Sequence, residues 1–214
     1  SLAIDREQLV RDVTRMHQKP LEVIVPPGTI PGYTSPQGLK MNVPEARKLL
    51  AEAGYPGGRG MRTLEMLYNN ETIHGQVAMA IGQMWARNLG IAVKYRGLER
   101  GSFGTAKSKD HDFDLARGGW YGDYTDPTTW LDLLRSDNGN NDGQFKSPAY
   151  DALMDKAAAA ATPQARMADL SAAEKLAVTD EMPFIPLCQY SDGFMYDDRR
   201  LKGIEVSVRL LTPV

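Results

Sequence analysis

The chain has 214 residues, 42% hydrophobic and 24% charged, with 25 basic against 27 acidic side chains and a net charge of −2. That length supports one large domain with its own core, and the charge balance gives no ground for nucleic acid or an anionic membrane surface as partner. Cys188 is the single cysteine, which excludes an internal disulfide and a multi-thiolate zinc site, and no apolar run approaches the roughly 20 residues that span a bilayer.

No signal peptide is read at the start. Ser1 stands directly before a capped helix, so missing targeting information carries no weight. In that first helix Asp5 is the cap, Gln8 occupies the third position, Ile4 is placed to pack on Leu9, and Leu9, Val13 and Met16 form the expected buried stripe. Val23 to Val25 reads as a strand inside a proline-rich stretch that continues as a long irregular loop to Gln37. A second helix opens at Asn42, with Pro44 in its first turn, and ends at Gly54.

Thr63 to Asn69 is the next expected strand, Glu71 to Leu89 a helix with Ile73, Val77, Ile81 and Met84 inward, and Gly90 its end. Ile91, Val93 and Tyr95 alternate with polar or small residues as in a strand with one buried face. A short helical piece, Ser102 to Lys109, precedes a strand from Phe113 to Ala116, which runs into Arg117-Gly-Gly-Trp120. A helical turn (Pro127 to Leu134) and a polar loop (Ser136 to Gln144) lead to two helices opened by Ser147-Pro148 and Thr162-Pro163. Their expected buried stripes are Tyr150, Leu153, Met154 and Ala157, then Leu170, Ala173 and Ala177; Phe184 to Tyr190 and Gly193 to Tyr196 read as closing strands. Strands alternating with helices give an α/β layer architecture, a mixed sheet flanked by helices.

The sequence assembles no catalytic constellation. His17, His74 and His111 lack a nucleophile-elbow turn, a zinc-protease helix or a cysteine partner. His17 and His111 read as surface side chains, whereas His74 falls in the first turn of a helix after a strand end, where open α/β sheets place ligands. Gly54 to Gly60 lacks the lysine and hydroxyl of a phosphate loop, and Asp137 to Gly143 lacks the closing glutamate of a calcium loop. No metal or cofactor is expected.

The informative stretch is Arg117-Gly-Gly-Trp-Tyr-Gly-Asp-Tyr-Thr-Asp-Pro127. Its glycines let backbone come close to a partner, Trp120, Tyr121 and Tyr124 give flat apolar surface, and Arg117 with Asp123 offers opposite charges suited to a zwitterion. The competing reading is a tight loop whose aromatics are core and in which Arg117 pairs with Asp123 or Asp126.

This segment resembles the periplasmic oligopeptide- and dipeptide-binding proteins of ABC importers, the family 5 extracellular solute-binding proteins. The resemblance extends over Ala3-Ile-Asp-Arg-Glu7, Ala46 to Tyr55 (ARKLLAEAGY), Leu67-Tyr-Asn69, GWYGDYTDP from Gly119, Ser147-Pro-Ala-Tyr-Asp151 and Pro183 to Pro186. It implies a two-lobed protein that closes about a hinge on an extended peptide. The whole of residues 1–214 is then a single C-terminal lobe, with the N-terminal lobe absent.

By the same resemblance Asp123 takes the peptide's α-amino group, and Arg117 and His74 meet the carboxylate end. Trp120 and Tyr124 form pocket walls, Gly118 and Gly119 pair with peptide backbone, and Tyr121 and Asn69 complete the ligand-binding set. Some relatives carry a disulfide cysteine where Tyr121 stands; Cys188 reads as a small buried hydrophobe. The implied partners are a peptide, the protein's own N-terminal lobe and the ABC permease, in a periplasmic or otherwise extracytoplasmic setting, with lipid anchoring open. Two alternatives stand beside it: a non-peptide ligand of the same family (a nickel complex, haem, an opine or an oligosaccharide), and a peptidase. Asp123 speaks against a neutral sugar.

Overall fold

Asp5 accepts the Gln8 amide at 2.8 Å and so opens α1 (Arg6–Gln8), as a helix start requires. The following turns, Leu9–Thr14, widen to π spacing and stop at Arg15, which is left-handed. Met16 therefore lies outside the helix and is exposed, contrary to expectation, while Leu9 is fully buried and Val13 half-buried. The protein is seen here in a computed structural model, which describes residues 1–71, 73–191, 196, 197, 199–205, 212 and 213.

β1 (Lys19–Pro20) is brief, and the expected strand at Val23–Val25 does not form. Those three residues are buried, but the amides of Ile24 and Val25 donate to Oε1 of Glu174 at 2.6 and 2.7 Å rather than to a neighbouring strand. A carboxylate with two acceptor oxygens satisfies the buried backbone in place of a ladder. Its other oxygen takes the Tyr33 hydroxyl, so one side chain clamps the proline-rich loop at both ends.

Asn42 accepts the Glu45 amide at 3.1 Å and starts α2 (Val43–Glu52). Then comes the parallel unit that carries the site: β2 (Leu64–Asn69), α3 (His74–Leu89), β3 (Val93–Leu98), α4 (Arg100–Thr105, continuing as a π turn through Asp110) and β4 (Leu115–Ala116). β2 is central, in register Leu64↔Val93 to Asn69↔Leu98 on one side and Leu67↔Ala116 on the other. Gly90, at φ 72°, ends α3 in the left-handed conformation that glycine adopts without a Cβ clash. Although β4 has only two residues, the Asp114 carboxylate fixes its start by accepting from Arg62 and from the Glu65 amide.

α5 (Thr128–Leu131) leads into α6 (Pro148–Ala158) and α7 (Pro163–Lys175), whose caps Ser147 and Thr162 accept the Tyr150 and Ala165 amides. β5 (Cys188–Gln189) pairs antiparallel with β1; β6 (Ile204–Glu205) and β7 (Thr212–Pro213) form a second antiparallel ribbon. Of the expected strand Phe184–Tyr190 only Cys188–Gln189 is paired, and Gly193 to Met195 lie outside the described residues. Cys188 is half-buried rather than core: its thiol donates to Gln18 Oε1 at 3.3 Å.

Two large clusters carry most of the packing among the described residues, beside a small one of Leu67, Phe103 and Ala106. Ile4, Met66, Ala78, Ile81, Met84, Trp85 and Ile91 pack between α3 and the sheet. A second cluster, including Val25, Leu131, Tyr150, Met154, Leu170 and Ala173, joins the loop to α5, α6 and α7. Tyr150 is fully buried and donates to the Leu131 carbonyl at 2.7 Å. The stretch from Arg117 to Pro127 runs from the sheet to this helical cluster, anchored at both ends by packed elements.

Candidate functional site

The carboxyl ends of β2 and β4 bring together three of the expected residues. Asn69 ends β2, His74 opens α3, and Arg117 follows β4, its amide extending the ladder by donating to the Leu67 carbonyl at 2.8 Å. Each has a buried polar atom with no partner among the described residues: Asn69 Oδ1, His74 Nδ1 and Arg117 Nε. Such groups cost free energy unless something meets them, and the carboxyl ends of parallel strands are where open α/β sheets receive ligands.

Burial pushes the His74 imidazole pKa below its ordinary value, and the Arg117 charge pushes it the same way; the Asn69 backbone and Glu71 oppose. His74 thus favours the uncharged ring, which leaves Arg117 as the fixed positive charge of this corner. Arg117 does not pair with either aspartate of its own loop. Its Nη2 donates to the Tyr190 hydroxyl at 2.6 Å, and its guanidinium carbon lies 6.0 Å from the Tyr190 ring centre.

Asp126 is occupied elsewhere: Arg166 grips it with two hydrogen bonds at 2.7 and 2.8 Å, and the Thr128 amide and hydroxyl also donate to it. Burial pulls its pKa up, but these donors outweigh burial and hold the carboxyl below its ordinary range. Asp123 is different. Its amide donates to Thr129 Oγ1 at 2.9 Å, which fixes the backbone, while its carboxylate is exposed and has no partner among the described residues. The sequence leaves the pairing of Arg117 with Asp123 or Asp126 open; in the structure neither pair forms.

The aromatics are not core. Trp120, Tyr121 and Tyr124 are 37%, 59% and 42% exposed, which disposes of the alternative in which they fill the interior. Tyr121 stacks on Tyr190 with ring centres 5.8 Å apart. The backbone beneath them needs glycine at Gly122, where an added Cβ would lie 2.8 Å from the Trp130 ring; Gly118 faces open space.

Three contributors escape sequence reading: Tyr190, Thr129 and Arg166. Tyr190 stands in the stretch expected as a closing strand, and only the pairing of β5 with β1 carries it to Arg117. Arg166 lies 40 positions from Asp126 with no local spacing to link them. His111 also departs from expectation, being half-buried with Nδ1 2.9 Å from the Asp142 carbonyl.

A family model of the bacterial extracellular solute-binding proteins, family 5 Middle, matches residues 1–142. The chain belongs to that family. Among family 5 relatives, the periplasmic murein peptide-binding protein MppA of Escherichia coli is 33% identical over 90% of this chain and 36% of its own length. The periplasmic oligopeptide-binding protein OppA of the same organism is 31% identical, covering 99% of this chain and 37% of the relative. The crystal structure of a periplasmic oligopeptide-binding protein of Borrelia burgdorferi superposes with a TM-score of 0.87 at 26% identity, over 100% of this chain and 44% of that one. The chain thus spans little more than a third of the curated relatives it matches, and these family 5 members are named as binding proteins, not enzymes.

Proposed function

We propose that this chain is the C-terminal lobe of a peptide-binding component of an ABC importer, which closes with an N-terminal lobe on an extended peptide and delivers it to the permease. Asp123 takes the α-amino group, Arg117 the carboxylate end with His74 as an uncharged hydrogen-bonding neighbour, and Asn69, Trp120, Tyr121 and Tyr124 line the space between. The observation that carries this reading is the exposed Asp123 carboxylate, which has no partner among the described residues. Arg166 is bound to both oxygens of Asp126 and Arg117 donates to the Tyr190 hydroxyl, so among the described residues neither arginine pairs with Asp123 and its acid is available to an incoming ammonium group. The names of the relatives, murein peptide- and oligopeptide-binding proteins, support the ligand class. A neutral oligosaccharide would offer Asp123 no cation.

The protein's mechanism is capture rather than bond-making, and its setting is extracytoplasmic, with a lipid anchor compatible with it. Calorimetric titration of the full-length protein with di- to pentapeptides is expected to show saturable binding, and mass spectrometry to return the peptides intact after prolonged incubation. No binding at any length, or turnover proportional to protein concentration, sinks the reading.

Gly118 separates ligand effects from folding. Nothing among the described residues lies within 4 Å of a Cβ placed there, and its φ is not left-handed. Gly118→Ala is therefore expected to leave stability within about 0.5 kcal/mol, as for surface substitutions generally. If peptide backbone runs against this strand-like edge, the added methyl weakens binding by roughly tenfold or more, a loss of about 1.4 kcal/mol. Unchanged affinity would remove Gly118 from the site.

A further inference from the structure

Arg117 reaches Tyr190 through a contact that no local pattern foretells, and it is built from three sides. The guanidinium Nη2 donates to the phenol oxygen at 2.6 Å, the Tyr190 ring stacks on Tyr121, and Gly119 lies so close beneath that a Cβ there would stand 3.2 Å from both Arg117 Nη2 and the Tyr190 ring. Tyr190 directly follows β5, so its backbone is held by the ribbon with β1, and the next residue, Ser191, donates its hydroxyl to the Met16 carbonyl at 2.5 Å. The acceptor offered to Arg117 is a neutral hydroxyl, which leaves the guanidinium charge uncompensated, and a carboxylate can both neutralise that charge and accept two parallel N–H bonds from the fork.

We infer that Tyr190 is a positioning residue that holds the Arg117 guanidinium ready for a ligand carboxylate, and so sets the preference for peptides with a free C-terminal acid. The inference rests on the peptide-binding reading above. An arginine has many rotamers to lose on binding, and a side chain already fixed loses fewer of them. The hydroxyl engages one edge of the planar fork and leaves the remaining donors to the ligand. Stacking on Tyr121 keeps the phenol in place when the peptide arrives.

The test compares free-acid and C-terminally amidated forms of one peptide, at the length between two and five residues that gives wild type its largest acid-over-amide preference. Tyr190→Phe keeps the ring and its stacking but removes the hydroxyl. It is expected to weaken the acid by about fivefold to tenfold and the amide by less than about twofold. In an Arg117→Ala background the same change has no further effect on the acid-over-amide ratio, a coupling that loss of ring packing alone would not produce. Full retention of the wild-type ratio in Tyr190→Phe overturns the inference while leaving peptide binding intact. Absence of any acid preference in wild type overturns the role given to Arg117 and the inference with it.

Discussion

In the full-length protein Asp123→Ala is expected to weaken binding of peptides with a free amino terminus by about tenfold to a hundredfold, with little change in melting temperature. The magnitude follows from the contact removed. A charge-assisted hydrogen bond contributes roughly 1.5–3 kcal/mol, and each 1.4 kcal/mol is a factor of ten. Stability should hardly move, because the Asp123 carboxylate has no partner among the described residues and the backbone bond to Thr129 survives the substitution. Asp126→Ala makes the contrast: it strips two bonds from Arg166 and two from Thr128, so its effect falls on the loop itself. Calorimetry with one tetrapeptide, together with a thermal melt of each variant, separates the two aspartates. An Asp123→Ala protein that melts far below wild type would return that residue to a structural role.

Glu174→Ala is expected to have the largest effect on stability, about 3 kcal/mol or more. The site is fully buried, and truncation leaves the Ile24 and Val25 amides and the Tyr33 hydroxyl without acceptors, each costing roughly 1–3 kcal/mol before the cavity is counted. Glu174→Gln keeps one carbonyl acceptor for the two amides and should cost less. Burial raises the Glu174 pKa above its ordinary 4.5, with Tyr33 and the two amides opposing. A folded value above the unfolded one means that the folded protein binds the proton more tightly. This contribution is therefore complete below pH 4.5 and is lost as pH rises through the folded value. Wild type should be most stable relative to Glu174→Gln near pH 4 and lose ground as pH rises, as read by thermal unfolding followed by circular dichroism. A gap moving the other way would show that the amides and Tyr33 overcome burial.

Glu174 also shows where sequence reading stops. The run Val23–Val25 has the composition of a buried strand and is buried as expected, yet its hydrogen-bond partner is a side chain about 150 positions away. No periodicity distinguishes those two ways of satisfying a buried amide. Helix starts, by contrast, are local: Asp5, Asn42, Ser147 and Thr162 each accept an amide three positions on, so residue type and spacing suffice. The β2–α3–β3 unit was legible from strand alternation and helical spacing, whereas the meeting of His74 with Arg117 was implied only by the family resemblance, because it depends on the pairing of β4 with β2.

Partner choice in the site was not legible. Arg117, Asp123 and Asp126 lie within ten positions of one another, and composition permits any pairing among them. Arg166 and Tyr190, brought in by α7 and the β1–β5 ribbon, decide which acid is left open. The segment rich in glycine and aromatics is exposed surface rather than core. It is anchored from outside: Thr129 and Arg166 hold one end, and the ladder at Leu67 holds the other.

The central claim, that the open carboxylate of Asp123 receives a peptide's amino terminus, is tested most directly by a four-way titration: wild type and Asp123→Ala, each with one tetrapeptide in free and N-acetylated form. Wild type is expected to prefer the free amine by about tenfold or more, and Asp123→Ala to bind both forms at the level of wild type with the acetylated peptide. A preference for the free amine of equal size in both proteins would contradict the account.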